Sequence, residues 1–258
     1  VGVRLFVRHG RSVVLTDEGN AYLPSAEMVI EAMANAEAHG EALGEALRGK
    51  VRIHTMLSFA RHQIVPWVPA FTRAYPGISL EFHIGPQYED AFDKGIDIAI
   101  HSGALPNSSR VARKIGASRW IVCAAPSYLA EHGTPRVPGD LERHTCIAFS
   151  FASDWNVWQF RGDDGTRYGV RPASLVETTQ GEIARDLALA GFGITRLAEF
   201  HIGDDLRAGR LTPVLEEYQE PSKEPLYLVY PNRKHISPRV KAFCDFMEKQ
   251  IAQQAWAR

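Results

Sequence analysis

The chain has 258 residues, 45% of them hydrophobic and 23% charged, with a formal net charge of −1. That is soluble globular material for one large or two small domains, and it excludes a protein whose global field drives nucleic-acid binding. The three cysteines, Cys123, Cys146 and Cys244, are odd in number and far apart. They fit neither a disulfide framework nor a zinc ribbon and point to a reducing compartment. No apolar run approaches the length of a membrane span, and no signal peptide is visible.

The chain opens on a basic strand-turn-strand pattern in which Arg4, Arg8 and Arg11 precede the first acidic residue, Asp17. This opening has too little apolar surface to fold alone, so the sequence predicts a partner segment upstream of Val1. A long helical pattern follows, with Ala26, Val29, Met33, Ala36, Gly40, Leu43 and Leu47 at alternating steps of three and four, a heptad seam. Thr16 reads as the N-cap, Asp17 and Glu18 complement the helix dipole, and Gly49 reads as the C-terminal stop. At 1.5 Å per residue the helix would be roughly 45–50 Å long, and its small-residue seam predicts a partner helix. The alternative is a helix lying on its own domain.

After Lys50, short apolar runs alternate with helical stretches. Strands are predicted at 51–56, 78–84, 96–100 and 119–125, a helix at 63–75 broken in by Pro66, and a short helix from Pro126. A second set places strands at 145–149, 158–161, 168–170 and 175–177, a helix at 182–190, a strand from Gly193, a strand at 226–230 and a final amphipathic helix at 238–250. The alternation predicts two α/β units with parallel sheets. The chain is expected to cross between them near Val122 and again near Leu228.

The residues at this point resemble a known family. Gly2-Val3-Arg4-Leu5-Phe6-Val7-Arg8, Arg11 and Leu15-Thr16-Asp17-Glu18-Gly19 are similar to the wing and linker entry of LysR-type transcriptional regulators. Pro66-Trp67-Val68-Pro69-Ala70-Phe71, Tyr75-Pro76, Asp97-Ile98-Ala99-Ile100 and Ala125-Pro126-Ser127-Tyr128-Leu129 follow the family's order and spacing. So do Asp140-Leu141 with His144, and Leu189-Ala190-Gly191-Phe192-Gly193-Ile194.

The resemblance implies an α/β fold of two Rossmann-like subdomains, similar to type 2 periplasmic binding proteins, preceded by a long linker helix and a remnant of a winged helix-turn-helix. In those terms residues 1–15 are the wing remnant and 16–49 the coiled-coil linker. Residues 50–121 with 229–258 form subdomain I, and 122–228 form subdomain II. It further implies a cytoplasmic bacterial regulator, a homodimer or homotetramer, that binds a small-molecule effector between its subdomains. Promoter DNA is the partner of the full-length protein; without a recognition helix the present chain is not expected to hold it tightly. No cofactor, metal or membrane is implied.

A ligand between two α/β units sits at strand carboxyl ends and helix amino termini, where backbone N–H groups favour an anion. Four loops answer that description. Ser58-Phe59 follows the first strand, at a turn where the family places effector-contacting polar residues; Ser58 is also a candidate helix cap. His101-Ser102-Gly103 resembles the family's second contact loop: Gly103 permits close backbone approach, Ser102 offers a hydroxyl, and His101 either contacts the ligand or is simply solvated. In Phe149-Ser150-Phe151, strand alternation sends the serine to the face opposite the two aromatics, so only part of the trio is expected at the site. Thr178-Thr179-Gln180-Gly181 lies between strand and helix, with Thr179 the expected N-cap. Downstream, Gly193-Ile194-Thr195-Arg196-Leu197 departs from the family's Leu-Pro ending; Arg196 either clamps a ligand carboxylate or pairs with Glu199. In the wing remnant, Arg8 and Arg11 are the DNA-contacting candidates, through weak, salt-sensitive phosphate contacts.

Enzyme chemistry finds no support in the sequence. There is no glycine-flanked nucleophile elbow, no phosphate-binding loop, and no metal-spaced cluster among the ten histidines. The acidic pairs Asp163-Asp164 and Asp204-Asp205 read as solvated turns. The competing function is a solute-binding protein of a transporter, which would have no use for a dimerising helix at its amino end.

Overall fold

The computed structural model describes residues 2–9, 12–42, 47–85, 92–105, 110–150, 154–162, 164–219, 221, 223–231 and 236–257. The opening is a hairpin of β1 (Phe6–His9) and β2 (Ser12–Leu15), in antiparallel register with Phe6 opposite Leu15, leading into α1 (Asp17–Ala42). Thr16 caps α1 as its sequence context predicts: its hydroxyl accepts from the Gly19 N–H at 3.0 Å and donates to the Arg4 carbonyl at 2.7 Å. A Cβ on Gly19 would stand 2.1 Å from the Leu5 carbonyl oxygen, so only glycine lets the hairpin lie this close to the helix. The helix's 26 residues make it about 39 Å long. Gly49 is not its stop. At φ 114° it is the first residue of β3 (Gly49–Thr55), and residues 43–46, with seam position Leu43, lie outside the described residues.

The first α/β unit continues from β3 into a winding stretch: α2 (Leu57–Phe59), a π-helical turn over Ala60–Ile64, a 3-10 turn and α3 (Val68–Ala74). The predicted helix at 63–75 thus starts earlier and passes its Pro66 in the 3-10 turn, where a missing N–H costs little. Then come β4 (Ile78–Ile84), β5 (Ile98–Ser102) and β6 (Val111–Ser118). The second unit holds β7 (Trp120–Ala124), α4 (Pro126–His132), β8 (Cys146–Phe149), β9 (Trp158–Arg161), β10 (Arg167–Val170) and β11 (Ser174–Thr178). It is completed by α5 (Gly181–Leu189), β12 (Ile194–Ala198), α6 (Glu199–Arg207) and β13 (Thr212–Pro213). Finally β14 (Glu224–Tyr230) and α7 (Pro238–Ile251) return to the first unit.

Two five-stranded sheets result, ordered β4-β3-β5-β14-β6 and β11-β8-β12-β7-β13. They are mixed rather than parallel as expected. β3 is parallel to β4 and β5, and β8 to β11 and β12, but β14 and β7 run antiparallel to their neighbours. The reason is the exchange of strands: the chain enters the second sheet through β7 and returns to the first through β14, and each of these strands pairs in reverse. The first passage lies at Arg119, between β6 and β7, rather than near Val122. The return falls between β13 and β14, not near Leu228, which is a central residue of β14.

The first unit has one large core, with Val51, Ile53, Phe71, Phe243 and Met247 fully buried. In the second, alternate residues of β7 feed cores on opposite sheet faces: Ile121 and Cys123 pack with Ala184, Ala188 and Ile202, and Val122 and Ala124 with Trp158 and Phe160. α5 ends in a Schellman turn: Phe192 N–H bonds the Leu187 carbonyl and Gly191 N–H the Ala188 carbonyl, with Gly191 at φ 76°. Asp205, expected in a solvated loop, is fully buried in α6, where Arg185 and Arg210 hold it at 2.6 to 2.9 Å. Asp204 is an exposed partner of Arg207, Asp164 bonds Thr166 in a turn, and Asp163 lies outside the described residues.

Candidate functional site

The units meet at an apolar contact. Phe200, the second residue of α6, enters the first unit's core and packs edge-on against Phe59 and Trp256, with centroids 5.3 and 5.9 Å away. Gln63 donates to the Phe200 carbonyl and accepts from the Trp256 indole, so each buried polar atom in this contact has its partner. Ser118 accepts from the Phe200 N–H, and Arg119 grips Glu199 with two bonds of 2.9 and 3.1 Å.

Beside this contact a cavity opens between the sheets, about 580 Å³ including its solvent-facing mouth. From the first unit it takes Met56, Leu57, Ser58, Gly85 and Ser102. From the second it takes the start of α5 (Thr179, Gln180, Gly181), the start of α6 (Phe200, His201), and the aromatics Trp120, Phe149 and Trp155. The aromatic wall is pre-built: Trp155 packs against Trp120 at 5.2 Å and Phe149 at 5.8 Å, and Asn156 pins the Phe149 backbone with two hydrogen bonds. Glu224 joins the walls, accepting from the Ser102 hydroxyl at 2.5 Å and the Trp120 indole at 2.9 Å.

The fold brings Ser58, Ser102, Phe149 and Thr179 to this cavity and leaves the other expected residues off its lining. Phe59 is a fully buried core residue of the aromatic contact. His101 bonds the Ala104 carbonyl at 2.8 Å, tying its own turn. Gly103 occupies that turn at φ 96°. Ser150 is exposed, its N–H bonded to the Thr178 carbonyl, as strand alternation requires; Phe151 lies outside the described residues. Neither expected cap forms: the N-caps of α2 and α5 are Met56 and Gln180. Instead Thr178, buried behind the loop, accepts from the Gln180 N–H at 3.1 Å. Arg196 does not pair with Glu199, which Arg119 already holds. It stacks 5.0 Å over Trp120 and bonds the Trp155 and Val157 carbonyls, and burial pushes its guanidinium down to about 10 despite nearby Glu224. Arg8 is exposed on β1, and Arg11 lies outside the described residues.

Trp120, Trp155 and Glu224 went unread in the sequence, as did a cluster at the cavity's edge. The Glu182 carboxylate lies 3.0 Å from His62 Nε2, 2.9 Å from His201 Nε2 and 3.2 Å from Arg61. Burial opposes the charge of Glu182, but His201 and His62 beside it prevail and hold the carboxyl well below its usual range. Burial moves His201 the other way, lowering its imidazole despite the carboxylate, so it is neutral at pH 7.

Residues 44–252 match the family model of the LysR substrate binding domain, more than half of the chain. The chain belongs to the LysR family of transcriptional regulators. It is 32% identical to the HTH-type transcriptional regulator CrgA of Neisseria meningitidis over 251 residues, covering 97% of this chain and 83% of that one. The solved structure of CrgA superposes with a TM-score of 0.77 at 31% identity, over 98% of this chain and 85% of the other. Full-length AphB of Vibrio cholerae, at 24% identity and a TM-score of 0.69, shares the fold, over 95% of this chain and 83% of AphB.

Membership decides the broad function: this is the effector-binding and oligomerisation part of a LysR-type regulator, and not an enzyme. The relatives are regulators, which overturns the alternative of a transport receptor. Among the described residues no helix is long and apolar enough to cross a membrane.

Proposed function

We propose that this LysR-family chain senses a small organic anion held in the cavity between its two sheets. Carrying this reading is the convergence of Ser58, Ser102 and Thr179, from different elements of both units, on a cavity that also takes the amino end of α5. A helix start attracts negative charge, hydroxyls orient it, and the wall of Trp120, Phe149 and Trp155 suits an apolar body. Arg196 takes part by stacking beneath Trp120 rather than by clamping a carboxylate. Subdomain I, in this reading, is the β3–β6 unit completed by β14 and α7, and subdomain II is the β7–β13 unit. Closure of the cavity on the effector would change how copies of the chain are arranged.

α1 supports self-association. Met28, Val29 and Ile30 are each 60 to 63% exposed, an apolar surface better suited to a second copy than to water. The assembly proposed is a homodimer or homotetramer, with the β1–β2 hairpin and Arg8 adding only weak phosphate attraction. Sedimentation at micromolar concentration should show self-association, and a purely monomeric boundary would refute it.

A thermal-shift screen of small organic anions tests the site. A true ligand at a hundred times its Kd stabilises the chain by about 2.7 kcal/mol. Ser58→Ala and Thr179→Ala should each shrink that shift, and a shift that survives both would place the ligand elsewhere.

A further inference from the structure

We propose that His62, Glu182 and His201 form a binding site for a divalent transition-metal ion such as zinc. Their ligand atoms lie within 4.8 Å of one another. The Glu182 Oε1 atom stands 3.0 Å from His62 Nε2 and 2.9 Å from His201 Nε2. Neighbouring donors on one ion with ~2.0–2.1 Å bonds are roughly 3 Å apart, so this spacing already approaches a shared ligand shell. Two imidazoles and a carboxylate are also the donor set that first-row divalent ions accept, with a position left for water or another ligand.

A second observation is independent of the spacing. His201 is 3% exposed and, among the described residues, its Nε2 atom has no hydrogen-bond partner. Although it sits 2.9 Å from the carboxylate, it is not aligned to donate. An orphaned, buried imidazole nitrogen is costly as a bare polar atom and well disposed as a metal ligand.

The ligands come from both units. His62 lies in the π-helical turn after α2, Glu182 is the second residue of α5, and His201 is in the first turn of α6. An ion here would tie the first unit to the second at the cavity's edge, which His201 also lines. Arg61 competes for the site through the other carboxylate oxygen at 3.2 Å, but its side chain is 58% exposed and free to swing into solvent. The cysteines do not compete: all three are buried, and burial pushes their thiols up to about 12.

Titration of the intact chain with Co²⁺ alone, read by visible absorption and competed with Zn²⁺, tests the site without any organic ligand and independently of the effector reading. One ion per chain is expected, with affinity at least ~10-fold weaker in His62→Gln and in Glu182→Gln. Arg61→Ala, which releases the carboxylate, should tighten binding. His62 is the least buried of the three ligands, so its variant keeps the test valid if His201→Gln fails to fold; a native melting transition confirms each variant. Absence of stoichiometric binding, or binding that survives both His62→Gln and Glu182→Gln, would overturn the proposal, as would weaker binding by Arg61→Ala.

Discussion

Phe200 and His201 are adjacent in α6, yet they serve two different contacts between the same units. Phe200 closes an apolar contact with Phe59 and Trp256 in which the polar atoms around it are bonded. His201 faces Glu182 and His62, where a carboxylate gathers three potential cations and one ring nitrogen stays unbonded. Solvation separates the two. A satisfied apolar contact depends little on pH or ions, whereas a buried titratable cluster responds to both.

The contrast is sharpest under truncation. Phe200→Ala empties a buried ring site shared by both units and should cost about 3–5 kcal/mol in urea unfolding, with little change in pH dependence. A loss under ~1 kcal/mol would show that the units are not joined here.

Acidification should act on the other contact. Glu182 is lowered from its ordinary 4.5, so the stability it contributes is present above that value and is lost as pH falls below it. His201 is lowered from 6.5, so below that pH the unfolded chain binds a proton that the folded chain resists, which also favours unfolding. Stability should therefore fall from about pH 6.5 downward. Glu182→Gln should flatten the acid limb by on the order of 1–3 kcal/mol; an unchanged limb would remove the cluster as its cause.

A smaller effect is expected at the aromatic wall. Arg196→Ala should lose about 1–2 kcal/mol through its stacking on Trp120 and its two carbonyl bonds, measured by thermal melting. Smallest is Ser58→Ala, expected within ±0.5 kcal/mol of the parent because its hydroxyl caps no helix. It should nonetheless weaken ligand binding, which separates a binding residue from its structural neighbour Phe59.

Much of the fold was legible because its elements carry strong local signals. Trp158–Arg161 falls where its apolar alternation places it, and Pro238–Ile251 where Pro238 and an amphipathic repeat mark it. β6 was missed because Arg113, Lys114 and Gly116 break its apolar run; its pairing with β14 supplies what its sequence lacks. α6 was missed because Phe200, His201 and Ile202 are buried consecutively, hiding a helical period between two units that each claim one face. Within the site, loops marked by strand ends and hydroxyls could be read. Their individual side chains could not, since Phe59 and Ser58 differ by one residue and by which way the helix turns them. His62 meets Glu182 across 120 residues, and no spacing rule reaches that far.

The proposed effector is a small organic anion held between the two sheets. A crystal structure of the chain with the strongest hit of the anion screen tests it most directly. Ligand density is expected within hydrogen-bonding reach of Ser58, Ser102 and Thr179 and against Trp120 and Trp155; density elsewhere, with this cavity holding only solvent, would rule the anion site out.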